Sequence, residues 1–275
     1  MKRIIILLFF ILGISFQGFS QGSEIGPFGG GSFYLGDINP DKLFYNTQPA
    51  FGLVYRKILN PRYAIKANLI YGALEADDQH SVNPIQKNRN LSFRTKIIDL
   101  SGQIEFNFLP YEIGDPRYPF SPYIFAGVSV FRFNPQANID NAWVDLKPLS
   151  TEGQGTLASS GKSNYSLIQM AFPFGAGLKL ALASRLGISL EWSLRTTTTD
   201  YLDDVSTTYP DLNLLASEKG PLAASLSDRS QNQGDLGQNS GLQRGNSKRN
   251  DWYSFAGIAL TYKIGPKIPK CPAYK

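Results

Sequence analysis

The stretch Arg185–Arg195, RLGISLEWSLR, swings between two opposite chemistries at every step, and this restricts the possible folds more than any other feature of the chain. Successive side chains of an extended strand project to opposite sides, so Leu186, Ile188, Leu190, Trp192 and Leu194 share one face. Gly187, Ser189, Glu191, Ser193 and Arg195 share the other. Five large apolar residues in register, backed by Glu and Arg, place lipid outside and a polar lumen within. Residues 96–108 repeat the pattern, with Ile98, Leu100, Ile104, Phe106 and Phe108 alternating with Asp99, Ser101, Gln103, Glu105 and Asn107. A third instance sets Trp252, Ala256, Ile258, Leu260, Tyr262 and Ile264 against Gly257, Thr261 and Lys263. In a water-soluble core each unpaired inward polar group would cost roughly 1–3 kcal/mol. A hydrated or mutually hydrogen-bonded barrel interior removes that cost.

Eight extended segments follow from this reading, at about 24–35, 47–57, 62–74, 92–109, 121–134, 164–182, 185–198 and 252–264. Their connections alternate in length. Leu59-Asn60-Pro61, YEIGDPRYPF and Ala183-Ser184 are short, whereas 36–46, 75–91, 135–163 and 199–251 are long, polar and rich in Gly, Asn, Ser and Asp. The expected fold is all-β: an eight-stranded antiparallel up-and-down transmembrane barrel with periplasmic turns and exterior loops. Such a barrel is only wide enough to be filled by its own side chains. Arg56, Lys66, Asp99, Gln103, Glu105, Lys179, Glu191, Arg195 and Lys263 therefore form a salt-bridged plug rather than line a pore. Tyr55, Tyr63, Tyr71, Phe106, Phe108, Trp192, Trp252 and Tyr262 supply interfacial belts. The glycine-rich opening EIGPFGGGSFYLG is a strand, since no helix pattern or Lys-Ser/Thr follows to make it a phosphate loop. Pro173, inside the sixth segment, predicts a bulge.

Residues 1–20 read as a secretory signal, with Lys2 and Arg3, an apolar run from Ile4 to Phe16, and cleavage expected after Ser20. The barrel domain is then 21–265 and a basic, proline-broken periplasmic tail 266–275. No later run is long enough for a membrane helix. Cys271 is the single cysteine, so no internal disulfide forms; it is either an ordinary thiol or a site for mixed-disulfide pairing. The net charge of +5 comes from scattered basic residues without an aromatic-basic module, which argues against nucleic acid. Outer-membrane lipid or lipopolysaccharide is the expected acidic neighbour.

Little in the chain suggests catalysis. A lipid hydrolase needs a serine activated by histidine, and the one histidine, His80, offers only Ser81 and Glu75 nearby, on a loop that does not fix them. No enzyme activity, small-molecule substrate, cofactor or metal is expected. The carboxylates Asp200, Asp203, Asp204 and Asp211, in TTTTDYLDDVSTTYPDL, leave three options: a capped and solvated strand end, a protein-contact loop anchored by Tyr201 and Tyr209, or a calcium site lacking the DxDxDG spacing. Residues 217–250 are of low complexity and read as unstructured.

The block TTTDYLDDVSTTY, with the opening EIGPFGGGSFYLGDINP and the CP-containing tail, resembles the PorG-like family of outer-membrane barrels across the whole mature chain. The resemblance implies a non-enzymatic accessory of the type IX secretion system, located in the cell outer membrane. Its implied partners are a periplasmic ring lipoprotein and that lipoprotein's partner protein. Thr199, Asp200, Tyr201, Asp203 and Asp204 form the family-motif loop, with no mechanism attached. The alternative is a small surface barrel binding lipopolysaccharide or extracellular ligands; a narrow diffusion channel comes third.

Overall fold

Strand pairing closes the sheet on itself. The computed structural model describes residues 22–159, 161–231 and 238–265; the signal segment with its cleavage after Ser20, the tail 266–275 and Cys271 lie outside them. The barrel strands are β1 Ser23–Leu35, β2 Gln48–Asn60, β3 Tyr63–Asp77, β4 Ser92–Asn107, β5 Phe120–Arg132, β8 Ile168–Ala181, β9 Leu186–Thr197 and β10 Trp252–Ile264. They run antiparallel in the order β3-β2-β1-β10-β9-β8-β5-β4, and β3 pairs with β4 to close the ring. β1 begins and β10 ends at the same rim, with Ser23 opposite Ile264. A membrane strand needs about 9–11 residues. Strands of 12–16 residues therefore cross the bilayer and project beyond it.

Side-chain parity follows the alternation in the sequence. In β9 every inward residue from Gly187 to Thr197 is buried, while Leu186, Leu190 and Trp192 are exposed. The outer wall leaves Leu53, Leu69, Leu100, Val128, Leu190 and Ile258 exposed around its circumference. A water-soluble domain does not present a continuous apolar ring of that extent. Tyr63, Phe106 and Phe108 contact one another near the short-turn rim, with centroids 5.2 and 5.3 Å apart, and form part of one aromatic belt. Among the described residues no helix is long and apolar enough to cross a membrane.

Two expectations of local structure are corrected. Pro173 causes no bulge: Ala126↔Phe174 and Ser129↔Ala171 keep one register on either side of it. The proline sits in a gap of that ladder, where its missing N–H is not required. The irregularity lies between β2 and β3, at Ile58/Asn60. The loop 135–163 also contains a hairpin, β6 Pro135–Ile139 and β7 Ala142–Asp145, which extends the wall by pairing Gln136 with Arg94 of β4.

The long connections fold over one mouth as a cap. α1 Pro84–Arg89 lies between β3 and β4, and α2 Leu212–Lys219 and α3 Pro221–Ser227 between β9 and β10. The described part of 217–250 is therefore structured, against the sequence reading. Leu212, Leu215, Ala223 and Ala224 bury a small apolar core with Ala158 from another loop, a tertiary contact that local composition does not report. Under the cap, the upper lumen is rich in aromatic side chains: Phe93, Phe131, Phe133, Tyr253 and Phe255 join Leu202 and Val205 of the last loop in one cluster.

Candidate functional site

The middle of the lumen is a closed charge network. Glu24 of β1, Glu105 of β4 and Glu191 of β9 face Arg56 of β2, Lys66 of β3 and Lys179 of β8. Glu105 lies at the centre, with Arg56 Nε at 3.1 Å, Lys66 Nζ at 3.3 Å and Lys179 Nζ at 2.5 Å. Glu191 accepts from Lys66 at 2.8 Å and from the Tyr123 hydroxyl at 2.8 Å. Lys66 also sits 3.8 Å from the centroid of the Phe125 ring. Room for these rings comes from β8: a Cβ at Gly175 would fall 2.7 Å from Phe125, and one at Gly177 2.6 Å from Tyr123. Three carboxylates thus meet three cations. Buried ions are tolerated where each is paired and hydrogen-bonded.

Further pairs lie above and below. Towards the cap, Arg195 meets Asp99 at 3.3 Å, and Asp99 accepts from Tyr253 at 2.7 Å. At the short-turn mouth, Lys263 meets Glu112 at 2.9 Å. The turn 108–119 tucks Tyr111 and Ile113 under the barrel, so close to Gly187 that a Cβ there would lie 2.6 Å from Ile113 Cδ1. Every lumen residue singled out in the sequence, Arg56, Lys66, Asp99, Gln103, Glu105, Lys179, Glu191, Arg195 and Lys263, is buried inside. Glu24, Tyr123 and Glu112 were missed. Glu24 has the inward parity of Ser32 and Tyr34, a signal obscured by the glycines between them.

The cap holds a second cluster, built by all four long loops. Arg89 grips Asp78 through Nε and Nη2, at 2.7 and 2.8 Å, and donates to the carbonyls of Arg244 and Asp37. Arg244 pairs with Glu152 at 3.1 Å and donates to the carbonyls of Asp204 and Ser227. Glu152 also accepts from the backbone N–H groups of Ser206 and Thr207. Asp204 accepts from Thr151 and from Tyr165, whose ring stacks on Tyr201 with centroids 4.7 Å apart. The Tyr34 hydroxyl, with one proton to give, lies 2.5 Å from Asp203 and 3.1 Å from Asp251. The two carboxyls therefore compete for that single proton. Burial is the main cause that pushes both upward, helped by Asp37 acting on Asp203 and by Asp203 acting on Asp251. Burial also raises Asp204 to about 6 and, with Asp37 and Glu152 nearby, Asp200 to about 8. The Asp200 oxygens find no hydrogen-bond donor among the described residues.

The motif loop is therefore interior, which corrects two of its readings. Asp200, Asp203 and Asp204 are buried rather than solvated at a strand end. Tyr209 is buried and Tyr201 stacked, so neither is an outward anchor. Asp211 does cap, accepting from the backbone of Asn213 and Leu214 at the start of α2. Thr199 lies buried at the head of the loop: its carbonyl accepts from Thr197 Oγ1, which also donates to the Asp251 carbonyl, and its own hydroxyl oxygen accepts from the Tyr201 N–H. Among the described residues no group of three or more His, Cys, Asp or Glu side chains is placed to hold a metal ion. His80 and Ser81 form no pair: Ser81 donates to Gln86, and the imidazole lies 6.5 Å from the Tyr45 ring.

A closed antiparallel barrel with an apolar wall, an ion-paired interior, short turns at one rim and long loops at the other is an outer-membrane β-barrel protein. The chain belongs to the family described as Domain of unknown function (DUF6089), which matches residues 2–219. No curated protein matches it in sequence. Among solved structures it is similar to Neisserial surface protein A, at 7% identity and a TM-score of 0.43 over 88% of this chain and 97% of that one. It is also similar to the attachment invasion locus protein Ail of Yersinia pestis, at 10% identity and a TM-score of 0.40 over 89% and 99%. OprG of Pseudomonas aeruginosa gives 9% identity and a TM-score of 0.36 over 91% and 99%. At such distances the assignment rests on the strand pairing and the apolar belt.

Proposed function

We propose that the protein is a non-enzymatic anchor of the outer membrane, a filled barrel that holds a fixed position while its two ends engage other components of the envelope. The observation that carries this reading is the lumen, neutralised by its own side chains and closed by Tyr111 and Ile113 below and the aromatic cluster above. A barrel filled in this way offers no path for a steady ion current, and planar-bilayer recording of the purified protein is expected to show none. Following the resemblance of the TDYLDDVS block to the PorG-like family, the assembly is the type IX secretion machinery, and the periplasmic partners are the ring lipoprotein and its partner. Cross-linking from intact outer membranes, with identification of the attached proteins, tests this. Recovery of the ring proteins supports the role; their absence from the full-length protein's cross-links removes it. Replacing His80 by alanine is expected to leave function intact, and a strict requirement for His80 would reopen an enzymatic role.

A second reading, a surface barrel that binds lipopolysaccharide or extracellular ligands, draws on the exposed apolar loop residues Val82, Ile85 and Leu157, 87%, 78% and 82% accessible. It predicts that deleting loop tips abolishes adhesion while secretion continues.

A further inference from the structure

We propose that the outer wall at the exterior ends of β4 and β5 is a binding site for the phosphorylated glycolipid headgroup of the outer leaflet, lipid A, held by Arg94, Lys96 and Arg132. On β4 the buried positions are Phe93, Thr95, Ile97 and Asp99, so Arg94 and Lys96 point outward with Ile98 and Leu100. On β5 the buried Phe131 gives Arg132 the same outward parity as Val128 and Val130. Ile98 stands directly opposite Arg132, which puts Lys96 diagonally across from it. Residues two apart on a strand are roughly 7 Å apart and neighbouring strands about 5 Å. Three cations are thereby gathered within the span of one phosphorylated headgroup.

Their electrostatics differ from those of every cation in the lumen. None of the three takes part in an ion pair among the described residues. Glu75 lies opposite Arg94 in the ladder, but its carboxylate accepts from Gln48 at 3.1 Å. The Arg94 guanidinium lies 5.4 Å from the centroid of Trp143, and its Nε has no partner among the described residues. Cations facing acyl chains are costly and sit at the headgroup level, where tryptophan also gathers.

The wall immediately below fits the rest of an amphiphile. Ile98, Leu100, Val128 and Val130 are exposed. Beyond them Gly102 pairs with Ala67, and a Cβ at Gly102 would meet nothing within 4 Å, which leaves a shallow trough for a chain descending from the cations. Guanidinium groups bind phosphate oxygens in a bidentate manner. A zwitterionic phospholipid carries its own ammonium and neutralises little of this charge; a polyanionic glycolipid neutralises it.

The site is independent of the secretion role and is tested separately from it. Full-length protein purified from the outer membrane in mild detergent is examined by native mass spectrometry, before and after addition of purified lipid A or phosphatidylglycerol. Wild type is expected to retain lipid A, and the double variant Lys96→Gln/Arg132→Gln to retain at least five-fold less, with unchanged heat-modifiable mobility. The charge-conserving variant Lys96→Arg/Arg132→Lys is expected to retain it, which separates loss of charge from loss of folding. Equal retention by wild type and the Gln variant, or equal retention of phosphatidylglycerol and lipid A, overturns the proposal.

Discussion

In the middle of the barrel three carboxylates face three cations, whereas in the cap the buried carboxylates Asp78, Glu152, Asp200, Asp203, Asp204, Asp228 and Asp251 outnumber the buried Arg89 and Arg244. Both regions bury charged side chains, and they meet the cost of doing so differently. The lumen neutralises itself by geometry, each ion from one strand held against an ion from another. The cap relies on hydroxyl donors, backbone N–H groups and retained protons. Holding the wall in one shape thus fits the first region, and answering to its surroundings fits the second.

The largest expected effect breaks the balanced region. Glu105→Ala leaves Arg56, Lys66 and Lys179 with two carboxylates between them, and breaking a buried pair in this way costs about 3–5 kcal/mol. Thermal unfolding in detergent is expected to shift down for the whole barrel. Adding Lys179→Met restores the balance and should recover part of the loss. Arg244→Met removes the Glu152 pair and two carbonyl contacts in the cap at a cost of about 3 kcal/mol, felt locally. Limited proteolysis is expected to cut the last exterior loop faster while the barrel melts as before; a matching fall in barrel melting would join the two regions into one cooperative unit.

A change of pH sharpens the same contrast. The carboxyls of Asp204 and Asp200 are raised to about 6 and about 8, so the folded cap holds their protons more tightly than an unfolded loop does. Their stabilisation is complete below about pH 4, the ordinary aspartate range, and is lost as pH rises through these two values. Hydrogen exchange of the last loop, corrected for intrinsic rate, is expected to show more protection at pH 5 than at pH 8.5, and Asp200→Asn should flatten the upper part of that dependence. The smallest effect is Asp211→Ala, which removes the cap of α2 for about 1 kcal/mol and should raise exchange in that helix alone.

Much of the barrel was legible because strand periodicity is two and the solvent on one side is lipid. Glu191 and Arg195 alternate with Leu190, Trp192 and Leu194, and no soluble arrangement accommodates both faces. Tyr253 and Phe255 were not recognised as lumen residues, because an inward aromatic has the same composition as an interfacial one and only parity separates them. The cap was read least well. Glu152 and Arg244 are 92 residues apart and meet only after four loops converge, so neither carries a local signature of its partner.

The sequence by itself determined, for its cleanly alternating strands, which face meets lipid and which turns inward, and that the interior must neutralise its own charge, since each depends on alternation along one strand. Only the tertiary structure decided which carboxylate meets which cation, that the exterior loops fold into a buried lid and that its aspartates are shut away from water. Those outcomes depend on contacts between segments distant in the chain, and the energy that selects them exists only once the ring has closed.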